Sequence, residues 1–346
     1  YDDLVSIKFT DIQRINHGKS IEIGNIKITF YHFGLYLTDV AMIIEVDGIC
    51  ILNANDAKVA ANSLDYIVRK HKPIDFALRS HSSANPRVCY EILGDADFKN
   101  DDREHYFRSF KLFMDKVNPR FAIPFASNHC HLNDDVFHFN DYISDPLELR
   151  DWTNKYNNRW DIRVMLPGSS WSSETGFKMA DEAPFLRKNE TLIKYKEKVQ
   201  ERIDFYNEKE LKINLDDRLI NRFAAFLKSA GVKKLSINVR FLLTSPNQQN
   251  NESLLYSAGT ISKDSNLDYK PRLDEALIIM PKVIFRDSVI KNMFSHAYIS
   301  KRCKFITHNK KDMEILKKFL TKIENFELIV KPIKSLYLLK VFIGYC

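Results

Sequence analysis

Four short apolar runs, each ending abruptly in a polar loop, constrain this chain more than anything else in it. They are Ile49–Leu52, Asp75–Leu78, Arg120–Phe125 and Asp161–Leu166. Runs of this length, bounded by turn residues, read as buried strands. The loops behind them are Asn53-Ala54-Asn55-Asp56, Arg79-Ser80-His81-Ser82-Ser83-Ala84, the His-rich stretch Ser127–Asp145, and Pro167-Gly168-Ser169-Ser170-Trp171. Ala60–His71 and Arg103–Lys116 between them are helical in pattern. The second puts Phe107, Phe110, Leu112, Phe113 and Val117 on an apolar side. Strand ends in this order deliver their polar loops to one edge of a layered α/β fold.

Two hairpins precede this series. Ser20–Phe30 alternates apolar and polar residues around Gly24-Asn25. Val40–Val46 and Ile49–Leu52 flank Asp47-Gly48, a strong two-residue turn signal. After residue 181 the texture changes. Phe185–Glu210 reads as one long charged helix and Asp216–Ala230 as a second. Leu235–Thr244 is a strand, and Ser245–Asp268 a polar loop. Strand Ala276–Met280, helix Lys282–Met293, strand Cys303–Thr307 and helix Lys311–Ile323 follow. The expected division is therefore residues 1–181 and 182–346.

Charge divides at the same place. Residues 1–180 carry 21 basic and 25 acidic side chains, and residues 181–346 carry 31 and 20. A basic second part fits a lysine-rich solvated surface or attraction to an anionic partner. No RNA- or DNA-binding motif accompanies it. The five cysteines (Cys50, Cys89, Cys130, Cys303 and Cys346) are scattered and lack CxxC spacing. That disfavours a disulfide framework or thiolate metal site and makes a reducing cytoplasm the expectation. No apolar run approaches the roughly 20 residues that span a bilayer.

Chemistry is concentrated at the strand ends. Asp56 closes an apolar strand, where a carboxylate can ligate a hard metal, orient a ligand, or simply cap the next helix. His129, His131 and His138 fall close together after Pro124-Phe125. His-x-His spacing puts both imidazoles on one side of an extended chain, as zinc or iron would need. A His-rich surface loop is the plain alternative. His32 ends an earlier strand and serves structure or ligation. A Ser–His nucleophilic pair within Ser80–Ser83 is disfavoured, because such partners are seldom sequence neighbours.

Taken together, these stretches resemble the metallo-β-lactamase superfamily. They are most similar to the branch containing CMP-N-acetylneuraminate hydroxylase and related bacterial proteins. The likeness rests on Asp39-Val40-Ala41-Met42-Ile43-Ile44-Glu45 with Gly48 to Asp56, on Asn118-Pro119-Arg120 to Pro124-Phe125-Ala126-Ser127, on Asn140-Asp141 and Asp145-Pro146-Leu147-Glu148-Leu149, and on Leu166-Pro167-Gly168. A fainter echo lies in Val289–Arg302.

The resemblance implies an αββα sandwich with zinc, iron or manganese, one or two ions, at the sheet rims. It implies metal-activated water as the hydrolytic agent on a small-molecule substrate; separately, the charge of the basic second part makes an anionic substrate the expectation. Asp56 matches the metal-bridging or metal-adjacent aspartate, and Asp56 with His129 would be the catalytic pair. His131 and His32 complete the expected ligands, with Asp141 and Asp145 as neighbours. The chain departs from the family in three ways. The His-x-His-x-Asp-His hallmark is absent, Leu35 stands where a histidine is expected, and Ser169 replaces an acidic residue. With Tyr at position 1, the expectation is an N-terminally incomplete sandwich, its hallmark lying upstream, followed by an α+β extension. No Rieske Cys-x-His pair supports hydroxylase chemistry. The alternatives are a non-catalytic binding module of the same fold, or an anion- or nucleic-acid-binding protein acting through the basic part.

Overall fold

Asp47 and Gly48 both adopt left-handed backbone, with φ of 49° and 79°. A two-residue hairpin turn requires this to match the twist of its strands. In the computed structural model this turn joins β3 (Asp39–Val46) to β4 (Ile49–Asn55). The structure describes residues 12–33, 39–59, 61–82, 86–95, 103–126, 129–232, 234–246, 250–294, 297 and 300–328. Leu35, Ser83, Ala84, Ser127, Asn128 and Cys346 lie outside them, as do parts of Val289–Arg302.

The first sheet has the order β1-β2-β3-β4-β5-β7-β8. Its antiparallel part is β1 (Ser20–Ile23), β2 (Ile26–Phe33), β3 and β4. Its parallel part adds β5 (Phe76–Arg79), β7 (Phe121–Pro124) and β8 (Asp161–Ile162). Helices α1 (Ala61–His71) and α2 (Arg103–Val117) cover one face. There Tyr31, Ala41, Ile43, Leu52 and Ala77 pack with Leu64, Ile67, Phe107, Phe110 and Phe113 in one core. Leu112 is not part of it: 69% exposed, it sits one residue before Phe113 and so about 100° round the helix.

On the opposite face, Phe76 and Phe121 are capped by a hairpin of β9 (Ser170–Ser172) and β10 (Gly176–Lys178). Trp171 stands 4.9 Å from Phe76 and Phe177 4.8 Å from Phe121 between ring centroids. Further along this face, Ile28, Phe30, Met42 and Ile44 are half-buried.

The second sheet has the order β13-β12-β11-β14-β15-β6. Its strands are β11 (Asn238–Thr244), β12 (Glu252–Ser257), β13 (Thr260–Asp264), β14 (Glu275–Pro281) and β15 (Lys304–Thr307), with β6 (Tyr90–Ile92) from the first part of the chain. β6 pairs parallel to β15, and Cys89, Ile92, Val136 and Phe139 enter the second core. The 1–181 segment is thus woven into the second unit. Phe223 of α7 (Asp217–Ser229) is fully buried at the centre of that core. Around it lie Phe241, Phe285 of α8 (Lys282–Lys291) and Phe294, with Phe319 of α9 (Lys310–Leu328) against Phe241.

Two expectations change here. The charged stretch 185–210 is three helices, α4 (Ala183–Leu186), α5 (Lys188–Lys198) and α6 (Gln200–Leu211), interrupted at Arg187 and Val199. Half-buried positions recur along one face (Phe185, Lys188, Leu192, Lys196, Ile203 and Asn207), and only Glu210 is buried outright. The polar segment 245–268 contains β12 and β13, joined at Ala258-Gly259 with φ of 50° and 89°. Pairing to β11 and burial of Leu254 and Tyr256 override its polar composition. No helix among the described residues is long and apolar enough to cross a membrane. Cys50, Cys89, Cys130 and Cys303 are free thiols.

His71 gives the first sheet a titratable lock. Its Nε2 lies 2.7 Å from the Tyr31 hydroxyl and its Nδ1 3.5 Å from Glu45, with the ring buried. Burial lowers the His71 pKa, and Glu45 offsets only part of that. A histidine held neutral in the fold contributes full stability above its ordinary pKa near ~6.5, and loses it as pH falls below that value. Urea midpoints should therefore fall between pH 7 and 5, and fall less in His71→Gln. Equal pH slopes in the two proteins would refute the assignment.

Candidate active site

The strand register collects the polar residues along one rim. Phe33 pairs with Asp39, Asn55 with Arg79, and Arg79 with Pro124. The Ser80 N–H donates to the Asn55 carbonyl (2.8 Å) and the Phe125 N–H to that of Arg79 (2.9 Å). The ends of β2, β4, β5 and β7 and the start of β3 therefore share one edge. Left-handed turns at Asn55 (φ 50°) and Ala126 (φ 54°) bend the chain sharply out of β4 and β7. A register shift between Asn53 and Asn55 accompanies the first.

Asp56 is exposed just past this shift. Its neighbour is Asp39, whose carboxyl is raised by burial and by the Asp56 charge, against a smaller opposing effect of Lys58. Arg79, at the end of β5, turns towards the helices, its guanidinium 4.3 Å from the Phe113 ring centroid and donating to the Ala57 carbonyl at 3.5 Å. Burial lowers its pKa, yet a guanidinium remains a fixed positive charge.

The histidines are placed by the next two strand ends. His129 and His131 approach edge-on, with ring centroids 5.5 Å apart. Buried Asn140 pins this loop: it accepts from the His131 N–H (2.8 Å) and donates to the His131 and Phe137 carbonyls (2.8 and 2.7 Å). Burial, then His129 and Lys301, push the His131 pKa down to about 4. His81, 1% exposed, is likewise pushed down to about 4, chiefly by burial and further by His129. Both rings are neutral at pH 7, the form that ligates a metal or accepts a proton. His32 faces another partner: its N–H donates to His17 Nδ1 (3.0 Å), its Nε2 lies 3.1 Å from the Ile15 carbonyl, and the two rings are 6.2 Å apart.

The expected residues thus arrive on the rim as pairs: Asp56 with Asp39, His129 with His131, and His32 with His17. Among the described residues no three His, Cys, Asp or Glu side chains converge as a metal would require. A structural or catalytic zinc site needs at least three protein donors, so these residues alone do not hold the expected ion. Two further residues have structural work instead. Asp145 caps α3 (Pro146–Thr153) through the Leu147 N–H at 2.7 Å, and Ser169 Oγ accepts from the Ala180 N–H at 3.0 Å. Asp39, His17 and Arg79 were not singled out by sequence. Asp39 had a signal, since it opens the stretch that ends in Asp56. His17 and Arg79 had none.

No protein-family model and no curated protein matches the chain. Among solved structures it is similar to CmlA, a diiron beta-hydroxylase from Streptomyces venezuelae, at 12% identity over 46% of this chain and a TM-score of 0.31. It is also similar to a structure described as a Zn-dependent hydrolase of the metallo-beta-lactamase superfamily from Thermotoga maritima, at 15% identity over 44% of this chain and 72% of that one, TM-score 0.24. The match spans only 35% of the length of CmlA.

Proposed function

We propose that this chain is a cytoplasmic metal-dependent hydrolase of the metallo-β-lactamase type, acting on a small anionic substrate. Asp56 and His129 are two of its metal ligands, with His131 and His32 beside them. The observation that carries the reading is the shared rim: the strand ends bearing Asp56, His81 and His129 lie side by side in one sheet. That is where the resemblance requires Asp56 and a late histidine. A metal held here needs further donors, since no three ligating side chains converge among the described residues. The neutral state of His81 and His131 favours ligation or proton acceptance over anion pairing.

The reading is tested by stripping the purified protein with chelator and assaying a panel of phosphodiesters, thioesters, lactones and β-lactams after adding back zinc, iron or manganese. The expected result is turnover of at least one class that is lost on stripping and restored by one metal. Metal binding without turnover would favour the binding-module alternative.

A further inference from the structure

The second unit carries a cavity of about 310 Å³ where it meets the histidine-bearing loop. Thr244, Ser245 and Pro281 line it from the ends of β11 and β14. These two strands run parallel in register from Asn238↔Glu275 to Thr244↔Pro281. A crevice at the carboxyl ends of parallel strands is where open α/β sheets bind ligands. The opposite wall comes from Asn133–Val136 of the first part of the chain, directly after His131.

The charge in this cavity does not cancel. Lys301, Arg302 and Lys304 line it, together with Asp134 and Asp135. Both carboxylates are committed: Asp134 to Lys196, and Asp135 to Arg302 at 3.0 Å. Arg302 is also held by Glu210 at 3.0 Å, which leaves it a cross-link between units. Lys301 and Lys304 bring two further positive charges to the lining. Lys301 is 4% exposed and Lys304 is open to solvent. Tyr269 brings an aromatic ring and a hydroxyl to the same space.

We propose that this cavity binds a small ligand through a phosphate or carboxylate group, with Lys301 and Lys304 as its cationic contacts and Tyr269 beside its organic part. The site is separate from the metal reading and stands or falls without it. Its volume suits a small molecule. This places the excess positive charge of residues 181–346 partly in a pocket and not only in a diffuse surface for polyanions.

The test is calorimetric titration of the full chain at fixed ionic strength with phenyl phosphate, inorganic phosphate and benzoate, alongside a single-stranded oligonucleotide. Phenyl phosphate or benzoate should bind, and Lys304→Ala should weaken binding about tenfold, the scale of one charge-assisted contact. Lys301→Met should do the same if it folds. Lys27→Ala, on the first sheet, should bind as the parent does. Absence of binding by all three small anions overturns the proposal, as does unchanged affinity in Lys304→Ala. Lys304-dependent binding of the oligonucleotide alone also overturns it.

Discussion

Arg240→Met is expected to destabilise the second unit by about 3–5 kcal/mol, the usual cost of orphaning a buried ionic partner. Arg240 has no solvent exposure and its partner Glu275 has 2%. Its Nε donates to Glu275 at 2.7 Å, and its two terminal nitrogens donate to the carbonyls of Asn266, Asp268 and Lys270 at 3.2, 2.8 and 2.7 Å. One side chain thus neutralises a buried carboxylate and ties down the segment between β13 and β14. Methionine fills much of the space but leaves the Glu275 charge in low dielectric and three carbonyls without their donor. Against a total stability of about 5–15 kcal/mol, that is a large fraction. Guanidinium denaturation should show it as a lowered midpoint. Arg240→Met with Glu275→Met should recover only part, because the carbonyls remain orphaned. A single-variant loss below about 1 kcal/mol would contradict this account of Arg240. The segment held by Arg240 also carries Tyr269, so phenyl phosphate affinity should fall with it.

The second large effect is expected at Asp56. Asp56→Asn keeps the size and hydrogen-bonding capacity of an exposed residue, so the fold should be unaffected. Metal affinity should fall by about 100-fold, at least the loss typical when a supporting carboxylate is removed. The same substitution removes a negative charge beside Asp39 and should lower the Asp39 pKa towards its ordinary value, readable by carboxyl NMR titration. Unchanged metal affinity together with a shifted Asp39 would place Asp56 on the rim but outside any metal site.

Local signals account for what could be read in advance. Asp47-Gly48 announced the β3–β4 hairpin because a two-residue turn has few sequence solutions. The buried strands ending at Asn55, Arg79 and Pro124 were legible because apolar runs of that length have few alternatives. What escaped was nonlocal. β6 is three residues long, and its pairing with β15 spans more than two hundred positions of chain, with nothing in Tyr90-Glu91-Ile92 to announce it. β12 and β13 looked like loop because their strand character depends on β11. The breaks at Arg187 and Val199 fall where no Gly or Pro stands to announce them. At the site, sequence order put Asp56 and His129 at strand ends on one rim, with the end of β5 between them. It could not show that Asp56 would sit beside Asp39, or that burial would hold His81 and His131 neutral.

The central claim is that the Asp56–His129 rim binds a catalytic metal. Elemental analysis of the purified full chain, after dialysis against micromolar zinc, iron and manganese in turn, tests it most directly. The account predicts close to one or two equivalents of one of these metals per chain, reduced in Asp56→Asn and in His129→Ala. No retained metal, or retention indifferent to both substitutions, would contradict it.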